Sequence, residues 1–132
     1  MKVVLDASAG IAGAMGRDAA PWVSDVVSRA TVVLAPDLYV AEVTSGLWKY
    51  VIAGHLTIDE AMSRLVDALE LVEHRVPATE LAAEALREAS ARRHAVYDLY
   101  YAVLARRESA VVVTLDKRLR ELVETMRMPV HP

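Results

Sequence analysis

Cysteine is absent from the 132 residues. That excludes disulfides, thiolate metal sites and thiol nucleophiles, and it gives no reason to place the chain in an oxidising compartment. Long apolar runs are missing too. The longest uncharged stretch, Ala7 to Gly16, is ten residues and glycine-rich, short of the roughly 18 apolar residues that a membrane span requires. An export signal is not apparent, because Asp6 interrupts the apolar start Val3-Val4-Leu5. The expectation is a soluble, cytoplasmic protein with no membrane partner.

A basic surplus is also lacking. The net charge is −3, whereas a nucleic-acid binder usually carries excess lysine and arginine to neutralise phosphates. The distribution is less even than the total. Residues 1–84 hold 6 basic and 12 acidic side chains, and residues 85–132 hold 9 basic and 6 acidic, so the two parts carry −6 and +3. The C-terminal third is therefore the side expected to meet an anionic ligand, through residues such as Arg92, Arg93, Arg106, Arg107, Lys117, Arg118 and Arg120. The plainer reading of each is a side chain that solvates a helix face.

What is present is 55% hydrophobic and 25% charged, the balance of a globular chain and not of a disordered one. The length suits one domain over residues 1–132. Three runs, Val3-Val4-Leu5, Thr31 to Leu34 and Ala110 to Val113, are apolar at consecutive positions, as strands covered on both faces of a parallel sheet should be. Leu71 to Val76 is a more polar strand candidate, and Pro129 to His131 a last one; edge positions suit both. Helices are predicted between the strands. Asp37 reads as an N-cap before the stripe Val40, Val43, Leu47 and Val51, and Thr57 with Glu60 forms a capping box. Further helices are expected from Pro77 and Thr79 onward, over Val96–Arg107, over Lys117–Met126, and from about Ala19 to Ala30. Alternating strands and helices predict a three-layer α/β sandwich with a central, mainly parallel sheet of about five strands. Ligands in such folds bind beyond the carboxyl ends of the strands, where the strand order switches direction.

Four carboxylates are expected at that edge. Asp6 directly follows the first strand and Asp116 follows Val111 to Thr114, so the two meet if strands one and four are neighbours; Ser8 and Thr114 accompany them as hydroxyls. Glu42 lies on the helix after Asp37, beside the small residues Ser45 and Gly46, which would leave room for a ligand. Asp98 falls in the first turn of its helix, where the helix dipole favours a carboxylate. Singly, each has a structural explanation as a cap or a solvated acid. Together they would repel and raise one another's pKa unless a cation intervened. All-oxygen ligation suits a hard ion, Mg²⁺ or Mn²⁺ over Zn²⁺. His55, His74, His94 and His131 read as surface or loop residues.

The fragments Val3-Val4-Leu5-Asp6-Ala7-Ser8, Pro36 to Glu42 with Leu47, Tyr97-Asp98-Leu99-Tyr100-Tyr101-Ala102 with Leu104-Ala105, and Val112-Val113-Thr114-Leu115-Asp116 give the chain a resemblance, over essentially its whole length, to the PIN-domain nucleases. It resembles in particular the VapC-type ribonuclease toxins of toxin–antitoxin pairs. The resemblance implies a five-stranded parallel sheet and a metal-dependent endoribonuclease. Asp6, Glu42, Asp98 and Asp116 would be the catalytic, metal-binding acids, Asp116 the least firmly placed, with Ser8, Thr114 and Ser45 in support. Ser45 departs from the pattern, since relatives often carry Asn there. The resemblance further implies an RNA substrate, a small VapB-like antitoxin that lays a helix in a groove near the acids, and a homodimer. Trp22, Tyr39, Trp48 and Tyr50 are compatible with such surfaces or with core packing.

Three other readings compete. A phospho-receiver domain would need an acceptor Asp after the central strand, and the Leu71–Val76 run ends in Arg75-Val76-Pro77. A haloacid-dehalogenase-like phosphatase would want an acid where Ser8 stands. A catalytically silent PIN-like binding module would keep the fold and partner but would not need all four acids.

Overall fold

The computed structural model describes residues 1–16 and 20–132. Strand β1 (Lys2–Leu5) leads into helix α1 (Ala7–Ala14), followed by α2 (Pro21–Arg29), β2 (Val32–Pro36), α3 (Leu38–Ile52), α4 (Ile58–Glu70), β3 (His74–Val76), α5 (Ala78–Arg92), α6 (Val96–Glu108), β4 (Val111–Val113), α7 (Lys117–Thr125) and β5 (Val130–His131). The five strands form one sheet in the order β3-β2-β1-β4-β5, and every pairing is parallel. The most apolar strands occupy the centre and the two weaker ones the edges, as their composition requires.

Each central strand is buried on both faces, and successive residues serve different cores. Val3, Leu5, Val33, Ala35 and Val113 pack under α1–α4. Val4, Leu34 and Val112 pack under α5–α7. This two-sided burial is why the strands read as unbroken apolar runs and not as alternating ones. None of the described helices is long and apolar enough to cross a membrane.

Helix α1 has no counterpart among the sequence expectations. Its sequence, Ala-Ser-Ala-Gly-Ile-Ala-Gly-Ala, has no polar face and two glycines, each costing about 1 kcal/mol of helix propensity. Packing supplies the compensation. A Cβ on Gly10 would stand 2.2 Å from the Tyr39 hydroxyl, and one on Gly46 of α3 would stand 2.3 Å from Ile11 Cδ1. The two helices approach closely because both positions lack a side chain. Gly46 therefore receives Ile11, and the space expected beside Glu42 for a ligand is partly taken up by core. Tyr39 is fully buried and its hydroxyl donates to the Ala68 carbonyl at 2.6 Å, so it has little freedom to retreat. Gly10→Ala is expected to destabilise the protein by about 2 kcal/mol despite its better helix propensity, read from urea unfolding midpoints; a variant as stable as the parent would show that Tyr39 can move.

The capping box is formed as expected, with Glu60 N–H donating to Thr57 Oγ1 at 3.1 Å and Thr57 N–H donating to Glu60 Oε1 at 3.0 Å. Asp37 behaves differently. It stands at the cap position of α3, but its side chain makes no cap bond there; it accepts from Ala78 N–H at 3.0 Å, at the start of α5. The helix expected from about Ala19 begins at Pro21, and Ala19 itself lies outside the described residues. Of the Leu71–Val76 run only the last three residues pair in the sheet.

Candidate active site

Strand β1 ends at Leu5, opposite Val113 of β4, and the next residue of the chain, Asp6, opens α1. Its carboxylate is committed in three directions. Oδ1 accepts from Ala9 N–H at 2.9 Å, which caps α1, and from the Ser8 hydroxyl at 2.7 Å. Oδ2 accepts from the Thr114 hydroxyl at 2.5 Å. Thr114 is fully buried, and Asp6 is only 5% exposed. Ser8 and Thr114 are in turn held by the next turn of chain: Leu115 N–H donates to Ser8 Oγ at 3.0 Å and Asp116 N–H to Thr114 Oγ1 at 2.9 Å. The two hydroxyls thus stitch β1 to β4 around one carboxylate, as the strand order requires.

Asp116 caps α7, accepting from Arg118 N–H at 2.8 Å. Glu42, on the second turn of α3, is half-buried and accepts from the Tyr101 hydroxyl at 2.6 Å. Asp98, in the first turn of α6, is 7% exposed. Its Oδ2 accepts from Arg118 Nε at 2.8 Å, and His94 Nδ1 lies 3.7 Å away.

The electrostatics join these residues into one site. Burial drives the Asp6 carboxyl up to about 6 from its ordinary value, against the pull of its three hydrogen bonds, and the charge of Asp116 adds to the rise. Burial also raises Glu42; Tyr101 opposes it, and Asp6, Asp98 and Asp116 all push in the same direction as burial. The other three acids therefore all act on Glu42. The Tyr101 phenol is raised by burial and by Glu42, so it is a hydrogen-bond donor and not a base.

Sequence reasoning placed the four acids at the carboxyl edge of the sheet, and the structure puts them there. Ser8 and Thr114 hold Asp6 as hydrogen-bond donors. The Ser45 side chain makes no hydrogen bond among the described residues; it lines a small pocket of about 230 Å³, together with Glu42, Leu38, Ala41 and Tyr97. Three residues were missed. Tyr101 stands three positions after Asp98 and so shares its helix face. His94, read as a surface residue, is four positions before Asp98. Arg118, read as a solvating side chain, lies two residues into α7 from its Asp116 cap.

Whether these residues suit a divalent ion is decided by their chemistry. The donors are hard oxygens, two of them raised by burial and by mutual repulsion, which a cation would relieve. Among the described residues no three acidic or histidine side chains converge on a single ion position. Mg²⁺ does not demand that, since it commonly keeps several waters and takes one or two carboxylates. The set fits such an ion.

Comparison with known proteins bears on the family and the fold. The family model described as PIN domain matches residues 3–124. Ribonuclease VapC3 of Pyrobaculum aerophilum is 32% identical over 133 aligned positions, covering 98% of this chain and all of that protein. The crystal structure of PAE2754 from the same organism superposes with a TM-score of 0.76 at 25% identity, covering 98% of this chain and 83% of that one. VapBC2 from Rickettsia felis, bound to a DNA fragment from its promoter, gives a TM-score of 0.67 at 16% identity over 99% and 98% of the two chains. FitAcB from Neisseria gonorrhoeae gives 0.66 at 19% identity over 98% and 96%; at these identities the last two bear on the fold. With a family match over nearly its whole length and a relative at 32% identity, the chain belongs to the PIN domain family.

Proposed function

We propose that this protein is a metal-dependent endoribonuclease of the VapC kind, formed by residues 1–132 as one domain, with Asp6, Glu42, Asp98 and Asp116 as its catalytic acids. The observation that carries the reading is Asp6: a buried carboxylate at the carboxyl end of the central strand, fixed by Ser8, Thr114 and Ala9 and electrostatically coupled to Glu42 and Asp116. A silent binding module would have no use for a carboxylate held at that cost, and the ribonuclease relative supports activity as well.

Bound to these acids, Mg²⁺ or Mn²⁺ would lower the pKa of a water and stabilise charge on the phosphate. The protein's own residues do the positioning. Ser8 and Thr114 fix the Asp6 carboxylate so that it cannot rotate away, and Tyr101 does the same for Glu42. The sheet edge presents the acids from four different elements, which lets one phosphodiester lie across them. Hydrolysis by water needs no covalent intermediate on the protein. The direct test is incubation with single-stranded RNA in Mg²⁺ or Mn²⁺ and in EDTA: cleavage confined to the metal samples is expected, and equal cleavage in EDTA would overturn the metal dependence.

Arg118 bears on ion binding, since its guanidinium occupies one oxygen of the Asp98 carboxylate, Oδ2, at 2.8 Å. It is itself largely exposed, with 62% of its side chain accessible, so its hold is screened and reversible. Arg118→Ala is expected to tighten Mn²⁺ binding by about fivefold to tenfold, the scale of one exposed charged hydrogen bond, in calorimetric titration; unchanged or weaker binding would show that Arg118 does not compete for Asp98.

The same reading supplies partners. An apolar groove of about 210 Å³ runs between α3 and α4, lined by Leu47, Trp48, Val51, Ile58, Met62 and Leu65, with Trp48 58% exposed. Exposed apolar surface of this kind suits the apolar face of a helix, and we assign it to a VapB-like antitoxin. A homodimer, checked by the solution mass, and a cytoplasmic site of action belong to the same proposal.

A further inference from the structure

The basic excess of the C-terminal third is not spread evenly over the surface. A cleft of about 620 Å³ opens where the end of α5, the start of α6 and the outer face of α7 meet, and its walls include Arg92, Arg93, His94, Arg118 and Glu121. The volume lies within the range of about 300–1,000 Å³ usual for ligand sites. Glu121 is its one acidic wall and faces Lys117, with Nζ 3.8 Å from Oε1. Arg92 is held by Glu88 at 2.8 Å. Arg93 has no ion pair or side-chain hydrogen bond among the described residues, and it is exposed. The cleft therefore carries surplus positive charge.

Its position gives that charge a meaning. Two of the residues that wall the cleft, His94 and Arg118, are the same two that approach the Asp98 carboxylate, at 3.7 and 2.8 Å. The basic cleft and the acidic site therefore share a wall. A polyanion lying in the cleft leads directly to the acids, and the cleft offers it a basic surface on a molecule whose net charge is −3. No Phe, Tyr or Trp lines the cleft, and its three arginines favour phosphates and sugars over bases.

We propose that the cleft walled by Arg92, Arg93, His94 and Arg118 binds the sugar–phosphate backbone of the RNA strand on one side of the bond that is cut. The inference rests on the ribonuclease reading above and adds the substrate path to it. Arg118 serves both sides of the shared wall: it rests on Asp98 in the free protein and turns to a phosphate when the acids are occupied.

The test measures binding and not turnover. The anisotropy of a short fluorescein-labelled single-stranded RNA is followed against protein in EDTA over a range of salt, with RNA integrity checked on a gel. The double variant Arg92→Ala/Arg93→Ala is expected to bind about tenfold to thirtyfold more weakly, and its log K against log salt slope to shrink by about 1.4, the value for two lost single-strand phosphate contacts. The double Lys variant should keep the slope, because phosphate contact needs the charge. Arg29→Ala, at the opposite end of the sheet, should bind as the parent does. If the double Ala variant keeps both affinity and slope while the parent cleaves RNA, the cleft is not the path and the ribonuclease reading stands. If the parent neither binds nor cleaves RNA, both fall.

Discussion

Asp6→Asn is expected to lower metal-dependent RNA cleavage by on the order of a thousandfold, about 4 kcal/mol of transition-state stabilisation, and to leave the fold intact. The structure explains why the two effects separate. Asparagine caps a helix as well as aspartate does, so the Ala9 and Ser8 bonds to Oδ1 survive. On the other side the Asn amide meets Thr114, whose hydroxyl can turn from donor to acceptor. What disappears is the negative charge at the end of β1, and with it an anionic oxygen for the ion. Asp98→Asn should behave alike, although there the loss also frees Arg118. Gel-resolved cleavage with circular dichroism and calorimetric Mn²⁺ titration of the same samples checks all three parts. Robust cleavage in both variants would dismiss the acids as the catalytic centre.

Heating the metal-free protein should reveal the same carboxylate as a weakness of the fold. The Asp6 pKa stands at about 6 in the folded chain against 3.8 in the reference state. Between those values the folded form holds a proton that the unfolded form has released, so stability falls as pH rises and the whole stabilisation is gone above the folded pKa. The drop is roughly 2 kcal/mol between about pH 4.5 and about pH 7, or on the order of 8 °C in Tm for a chain of this length. Glu42, raised by burial, adds to it in the same direction. Glu84 and Glu88 act oppositely, since their arginine partners lower them; their contribution is lost only as pH falls below the ordinary glutamate range. Mg²⁺ or Mn²⁺ should restore the lost stability near neutrality and do little in acid. In Asp6→Asn both the pH-dependent drop and the metal-dependent gain should shrink sharply. A parent protein whose Tm rises steadily from acid to neutral pH without metal would contradict the assignment.

These two results depend on a residue that was legible in the sequence, because Asp6 and Asp116 follow the most apolar strands and the edge of a parallel sheet is a predictable place. The strand order follows from composition as well: unbroken valines need cover on both faces, and the polar His74–Val76 and short Val130–His131 do not. Helix α1 was not legible, since its stability comes from contact with Tyr39 and from the notch at Gly46, both in a distant helix. Asp37 shows the same limit, because its partner at Ala78 is 41 residues away. The supporting ring of Tyr101, His94 and Arg118 was partly within reach. Tyr101 stands at helical spacing from Asp98, and placing it required asking which neighbours a buried acid would share its face with; His94 precedes α6 and reaches Asp98 from the connection after α5. Arg118 required knowing that α7 starts beside α6.

The pairing of β1 with β4 also sets a schedule. Asp6 leaves the ribosome early, but the hydroxyl that holds it belongs to Thr114, 108 residues further along. Asp116 comes later still, and until β4 is made, β1 lacks one of the two neighbours that bury it. At translation rates of about 5 to 20 residues per second the interval is roughly 5 to 20 seconds. A site spread over such a span closes only by a long-range contact, the slow kind in folding. For a protein that cuts RNA, the machinery still reading its message would thus be exposed to a growing chain that has no assembled centre with which to cut.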